Sequence, residues 1–226
     1  MSEKKQAVQE FEEVKGSANL AGFLDRNARK VIYIAGAVAV LAGGWLLYDN
    51  FVQQPREKKA SEAMSRAEAF YAQDSLDLAL NGDGVNAGFL KVISKHSGTK
   101  AANLAHYYAG SIYLRKEDYN NAVKHLKDFS TSATQVQSAA WRMLGDALMS
   151  QGKQEEGVSY FVKAGKLNEK DEYTSSENLF RAGLAYETMG KRKEAVELYK
   201  LIKEKYPKTE KGFSIDKYLA RLGEVK

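Results

Sequence analysis

Hydrophobic residues follow two different patterns along this 226-residue chain. Residues 31–48, VIYIAGAVAVLAGGWLLY, carry no charge and are apolar on every side of a helix, whereas beyond Pro55 apolar positions recur every three or four residues. The first pattern is typical of a helix in an apolar environment, and the second predicts amphipathic helices. The chain is therefore predicted to be all-α, with one exceptional helix near its N-terminus.

Val31 to Tyr48 is predicted to be a transmembrane helix. Its 18 residues would form about 27 Å of helix, close to the hydrocarbon thickness of a bilayer. Trp45 and Tyr48 lie near one end, where interfacial aromatic residues are common. A buried core helix and a cleaved signal peptide are the alternatives, but the preceding thirty residues are too long and too acidic for a signal peptide.

Basic residues near this segment favour one orientation in the membrane. Arg26, Arg29 and Lys30 precede it closely, whereas the first basic residue on the other side is Arg56. Because cytoplasmic flanks carry the excess of lysine and arginine, we expect the N-terminus inside and the C-terminal part outside the cytoplasm.

The next part of the chain is predicted to contain a linker helix and a degenerate helical hairpin. Pro55 is tolerated in a first helical turn, and helix-favouring residues follow it to about Gln73. NGDG at Asn81 to Gly84 indicates a turn, and NAGFLKVISKH predicts a short amphipathic helix stopped by Ser97-Gly98.

Beyond residue 100 the chain repeats around Gly110, Gly145 and Gly183. Each glycine follows a small or aliphatic residue and precedes Tyr or Leu by three positions, as in WRMLGDALMSQG. A small residue follows each glycine after twelve positions and a large one after sixteen, namely Leu126, Phe161 and Tyr199. Small residues let two antiparallel helices approach closely, so each copy is predicted to be a helical hairpin.

These copies resemble the tetratricopeptide repeat, whose signature is W-x2-L-G-x2-Y, then A-x3-F, then P. The second copy has Trp141 at the first signature position, where the others have His106 and Leu179, and Pro207 ends the third. The resemblance implies an α-solenoid, and Thr209 to Leu222 would form a helix that caps its end. The predicted organisation is a charged cytoplasmic tail over 1–30, a transmembrane helix over 31–48, a linker helix and degenerate hairpin over 49–102, three repeats over 103–208, and a capping helix and tail over 209–226.

Composition argues against catalysis, metal binding and nucleic-acid binding. The chain has no cysteine, and its net charge of +5 is spread along the sequence rather than concentrated in one patch. His96, His106 and His125 have no metal-ligand spacing; we interpret His106 as a packing residue and the other two as surface residues. No phosphate-binding loop is present. The chain is predicted not to be an enzyme and to need no cofactor, metal or small-molecule substrate.

In tetratricopeptide proteins the concave face, built mainly from the first helices, receives a peptide or a partner helix, and the resemblance places candidate contact residues there. They mix aromatic, aliphatic and charged side chains, which suits a protein segment better than a small anion. Each could equally pack against the neighbouring repeat. The candidates are Tyr107, Ser111, Leu114, Arg142, Asp146, Met149, Phe180, Leu184 and Glu187.

The order of parts also resembles the YfgM-like bacterial inner-membrane proteins, which are ancillary subunits of the SecYEG translocon, in the version common in Bacteroidetes. Gly44-Trp45 at the end of the apolar helix and the stretch NGDG…GFL…AANLAHYYAGSIYL carry this likeness. It implies a single-pass inner-membrane protein with a periplasmic scaffold domain. Its partners would be translocon subunits, periplasmic chaperones or client polypeptides. A structural or assembly subunit of another envelope complex, such as a secretion or motility machine, is the alternative.

Overall fold

The computed structural model of the chain describes residues 28–224. Over that range the chain is helical except for its turns and one isolated bridge between Gly82 and Ala87, which confirms the predicted all-α class. The described residues fall into two units, which meet in the sequence between Pro55 and Arg56. Most of the predicted cytoplasmic tail, residues 1–27, lies outside the described residues.

Eleven α-helices and one π-helical segment are assigned in the described range. They are α1 over 28–48, the π-helix Asp49–Gln53, α2 Gln54–Ala72, α3 Leu76–Asn81, α4 Phe89–Lys95, α5 Lys100–Arg115, α6 Tyr119–Asp128, α7 Thr134–Ser150, α8 Gln154–Lys166, α9 Glu172–Thr188, α10 Arg192–Lys205 and α11 Glu210–Arg221. The short helix α3 is not foreseen in the sequence pattern.

The first unit contains the predicted transmembrane segment. Within the described residues, Ala28–Ala72 is the one helix long and apolar enough to cross a membrane, and none of its apolar window is buried. Large side chains such as Ile32, Leu41 and Trp45 are more than half exposed. This exposure distinguishes α1 from a core helix of a soluble protein and is compatible with a single-pass anchor.

In the second unit the three glycine-centred copies are hairpins that stack in chain order. Helices α5 and α6, α7 and α8, and α9 and α10 pack as pairs, and α6 with α7 and α8 with α9 join one pair to the next. A Cβ on Gly110 would lie 2.6 Å from Leu126 Cγ, and one on Gly145 would lie 2.6 Å from Phe161 Cε1. On Gly183 it would overlap the Tyr199 ring. Each glycine thus leaves space for the large residue sixteen positions later, and not only for the small residue twelve positions later.

The last helix, α11, covers the end of this stack. It packs against α9 and α10, and its inward residues Ile215 and Leu219 are almost fully buried in the same core as Phe180. Its outward side is mainly polar, with Asp216 and Lys217 exposed. The predicted capping helix is therefore present, and it closes the solenoid by burying apolar residues on one side only.

One turn geometry recurs at the end of every first helix of the stack. Glu117, Gly152 and Gly190, each seven residues after the repeat glycine, have φ of 59°, 76° and 72°. In the second copy, Lys153 N–H donates to Leu148 O at 2.9 Å and Gly152 N–H to Met149 O at 2.9 Å, which is a Schellman closure. The pattern recurs at Asp74 after α2 and at Gly223 after α11. Helix α2 thus ends like the first helix of a further repeat.

Glu117 is expected to be strained, because a side chain in the left-handed region costs about 1 kcal/mol or more and the other two repeats have glycine there. Glu117→Gly is expected to raise the free energy of unfolding by about 0.5–1 kcal/mol, after the greater freedom of glycine in the unfolded chain is subtracted. Chemical unfolding of the full chain in detergent measures this. The matched Gly152→Ala should be destabilising; stabilisation by Gly152→Ala would contradict the strain argument.

Candidate functional site

The first helices of successive hairpins lie side by side and form one surface, here called the first-helix face. Tyr107 of α5 packs against the cluster that contains Met143 and Leu144 of α7. Three polar contacts join the other neighbours: Tyr71 Oη with Ser111 Oγ at 3.0 Å, Arg181 Nη1 with Asp146 Oδ1 at 3.4 Å, and Lys211 Nζ with Glu177 Oε2 at 3.2 Å. The face is therefore continuous from α2 to α11.

The N-terminal half of the first-helix face is aromatic. Tyr108 stacks on the fully buried Phe89 ring of α4, with centroids 4.9 Å apart, and Tyr71 meets Tyr108 edge-on at 5.1 Å. Tyr107 contacts Tyr108 and also Phe129, whose ring centroid is 5.3 Å away. Burial raises the pKa of both Tyr107 and Tyr108, so their hydroxyls remain protonated. This half offers half-buried rings with hydroxyl donors, a surface that suits apolar and amide groups.

The C-terminal half carries a ladder of paired charges. Asp146 contacts Arg142 and Arg181, both at 3.4 Å; Arg181 also contacts Glu177 at 3.2 Å, and Glu177 contacts Lys211 at 3.2 Å. Burial raises the pKa of Asp146, and the two arginines oppose that shift. Lys211 also contacts Glu210 at 3.5 Å, so three cations meet three carboxylates on this half. It therefore has no surplus of cations with which to select an acidic ligand.

Glu187, at the C-terminal end of α9, is held by two neighbouring elements. It accepts a hydrogen bond from the Tyr199 hydroxyl of α10, and Arg221 of α11 donates to both its oxygens at 2.8 Å. Burial, followed by the Glu187 carboxylate, strongly raises the pKa of Tyr199. Glu187 thus fastens the capping helix to the last repeat, in addition to any contact it makes with a partner.

The nine candidate contact residues differ in how far they are accessible. Ser111 and Phe180 are buried, at 8% and 6% exposed. Phe180 is covered by α11, whose Tyr218 ring lies 4.7 Å away and whose Lys211 ammonium lies 5.1 Å from its ring centre. The half-buried members are Tyr107, Leu114, Arg142, Asp146, Met149, Leu184 and Glu187.

The first-helix face also includes residues that sequence reasoning did not select. Tyr71 and Lys211 belong to helices outside the three recognised repeats, and Arg181 links two carboxylates of the charge ladder. Tyr71 precedes Asp74 by three positions as Met149 precedes Gly152, so an alignment on these turns would have selected it. That alignment needs the knowledge that Asp74 adopts a left-handed conformation.

The histidines are not all where the sequence suggested. His125 was expected at the surface but is only 7% exposed; it stacks on Tyr113 and approaches His106, with Nδ1 atoms 3.1 Å apart. Burial, with a smaller contribution from His106, lowers the pKa of His125 to about 4, and burial also lowers that of His106. The expectation was wrong because α6 turns this side of the helix toward α5. Within residues 28–224, no group of three or more His, Cys, Asp or Glu is placed to hold a metal ion.

Comparison with known proteins identifies the same kind of repeat that the hairpin geometry indicates. Residues 138–171 and 177–209 each match a family model of the tetratricopeptide repeat. The chain is also 28% identical over 149 residues to Superkiller complex protein 3 of Homo sapiens. That alignment covers 65% of this chain but spans only 9% of the relative's length. Glycine-centred hairpins, their shared turn and these matches lead to one conclusion: the chain carries tetratricopeptide repeats.

Proposed function

We propose that this protein is a membrane-anchored tetratricopeptide-repeat scaffold that binds polypeptide partners on its first-helix face. Tetratricopeptide repeats indicate a scaffold for protein–protein interactions, and such repeat proteins are generally not enzymes. The observation that carries the proposal is the continuity of this face from α2 to α11, with half-buried aromatic, aliphatic and paired charged groups along it.

The chemistry of the first-helix face favours a polypeptide segment without a strong net charge. Tyr107 and Leu184 offer apolar surface, whereas the cations of the charge ladder are already paired with Asp146, Glu177 and Glu210. A highly acidic tail would have to break these ion pairs to bind, which costs free energy without a gain in net charge. Extended or helical segments with apolar anchors fit this surface better.

We place the scaffold at the bacterial inner membrane beside the SecYEG translocon, with its N-terminus in the cytoplasm and its repeats in the periplasm. The exposed apolar helix α1 and the resemblance to YfgM-like proteins support this setting. Anchoring near a channel raises the effective concentration of the repeats for chains that emerge there. Translocon subunits, periplasmic chaperones and client polypeptides are the proposed partners.

Photo-crosslinking in intact cells tests which face binds. Crosslinkers at Tyr107, Arg142 and Leu184 are expected to trap partner proteins far more efficiently than the controls, because a crosslinker reacts only with a partner that lies against it. The control positions are exposed residues on the second helices, namely Lys124, Lys163 and Glu197. Equal yields from both sets would mean that the first-helix face is not the binding surface.

Co-purification of the full chain in mild detergent tests the setting. Translocon subunits recovered with the protein would support the assignment. Stoichiometric recovery of a different envelope complex would instead favour a structural or assembly subunit. Protease treatment of cells with a permeabilised outer membrane is expected to cleave the repeats; complete protection would overturn the proposed orientation.

A further inference from the structure

Exposed cations collect at one end of the hairpin formed by α2, α3 and α4, where α5 begins. We call this cluster the basic end, and it consists of Arg56, Lys58, Lys59, Lys95 and Lys100, all with exposed side chains. They come from the start of α2, the end of α4 and the start of α5. The fold therefore unites residues that are up to 44 positions apart in the chain.

Two contacts hold these segments together. Arg56 Nη2 donates to Ser97 O at 3.0 Å, which joins the start of α2 to the loop after α4. The Lys100 backbone N–H donates to both carboxylate oxygens of Glu57, at 2.8 and 3.0 Å, so this carboxylate caps the first turn of α5. The basic end is thus a feature of the folded domain rather than a loose run of charge.

The opposite end of the same hairpin is acidic. Asp74, Asp77 and Asp83 lie there; Asp74 is paired with Arg115 and Asp77 with Lys116. Arg56 and Asp74 are separated by 18 residues, which is about 27 Å along a helix. Three aspartates against two cations leave this end net acidic, and the surplus of exposed cations lies at the end where the chain leaves the apolar segment.

Chain connectivity keeps the basic end close to a bilayer into which α1 is inserted. Arg56 follows Tyr48 by eight residues, which span about 12 Å as a helix and at most about 29 Å fully extended. Each headgroup layer is about 5–8 Å thick, and salt screens exposed charges over about 8 Å. When the eight residues are helical, Arg56 lies within this screening length of the headgroup layer. Lysines and arginines so close to the surface are attracted to anionic headgroups.

We propose that the basic end binds anionic phospholipid headgroups in the leaflet on the same side as the repeats, and so orients the repeat domain on the membrane. The inference rests on the membrane anchor of the proposed function. The ligand is the phosphodiester of an anionic lipid, which the ammonium and guanidinium groups contact. Each lysine removed is expected to lower the ratio of docked to undocked orientations about fivefold.

Fluorescence quenching in reconstituted bilayers tests this directly. Because the chain has no cysteine, Ser97→Cys can carry a single fluorophore at the basic end and Asn81→Cys one at the acidic end. The full chain is placed in phosphatidylcholine bilayers with or without phosphatidylglycerol, each with a headgroup-nitroxide lipid as quencher. Quenching at position 97 is expected to rise with phosphatidylglycerol and fall with added salt, whereas position 81 stays unquenched.

Charge variants separate the basic end from general charge effects. Lys58→Gln, Lys59→Gln and Lys95→Gln together are expected to return quenching at position 97 to its level in neutral bilayers. The matched triple change Lys170→Gln, Lys193→Gln and Lys208→Gln removes the same charge from exposed sites elsewhere and should leave quenching unchanged. The proposal would be overturned if quenching at position 97 did not depend on phosphatidylglycerol, or if it persisted after the first triple change. Extraction of the chain from bilayers by alkaline carbonate would instead refute the membrane anchor itself.

Discussion

Replacing Gly145 with leucine is expected to lower the free energy of unfolding by about 3 kcal/mol, near the upper end for overpacking a core. Even a Cβ at this position would lie 2.6 Å from Phe161 Cε1 and 3.0 Å from the Gly157 carbonyl oxygen. The backbone oxygen cannot move without shifting α8, so the two helices must separate. Chemical unfolding of the full chain in detergent, followed by Trp141 fluorescence, measures the loss.

Two further variants test whether the loss comes from this contact. Ser150→Leu adds the same side chain at an exposed position of the same helix and should change stability by less than about 0.5 kcal/mol. Phe161→Ala alone should cost about 3–5 kcal/mol by leaving a cavity. Combined with Gly145→Leu, however, it should cost clearly less than the sum, because the new leucine occupies that space. Simple additivity would show that Gly145 does not act through Phe161.

Acidification is expected to destabilise the first repeat before it affects the rest of the fold. His125 has a folded pKa of about 4, below its ordinary value of 6.5, so the unfolded chain binds more protons between these values. The stability from the neutral histidine is fully present above pH 6.5 and is lost as the pH falls toward 4. Between about pH 7 and about pH 5 the free energy of unfolding should fall by about 2 kcal/mol from His125, with a further loss from His106.

Substitution of the histidines identifies the source of this pH dependence. The groups around the pair are Asp128, Lys124 and the ring of Tyr113, and Asp128 lies 3.9 Å from His106. His125→Phe keeps a flat ring against Tyr113 and should flatten the stability profile between neutral and mildly acidic pH. If His125→Phe leaves the slope intact, the pair is not its origin.

The helices and the repeat were predictable because their signals are local. The first helix of the second repeat is recognisable from four residues whose spacing follows from 3.6 residues per turn, namely Trp141, Leu144, Gly145 and Leu148. The close contact of its glycine with a large residue was not foreseen. The sequence shows that Phe161 follows Gly145 by sixteen positions, but only the packed hairpin shows that the ring lies over the glycine.

The candidate site was less predictable, because accessibility depends on neighbours far along the chain. Phe180 occupies the same repeat position as Tyr107 and Arg142, yet α11 covers it through Tyr218 and Lys211. Ser111 is buried, and its hydroxyl contacts that of Tyr71, which lies forty residues earlier in the chain. Whether the remaining candidates contact a partner stays a prediction, which the crosslinking comparison tests.

The sequence by itself determined the all-α class, the apolar segment and the repeating hairpins, since each follows from side-chain type at fixed local spacing. Only the tertiary structure decided that Glu117 and Asp74 share the left-handed turn that glycine makes elsewhere, and that His125 is buried beside His106. It also decided the charge ladder of the first-helix face and the union of Arg56 with Lys95 and Lys100 at one end. These features require side chains from separate helices to meet, and that proximity is set by packing rather than by local spacing.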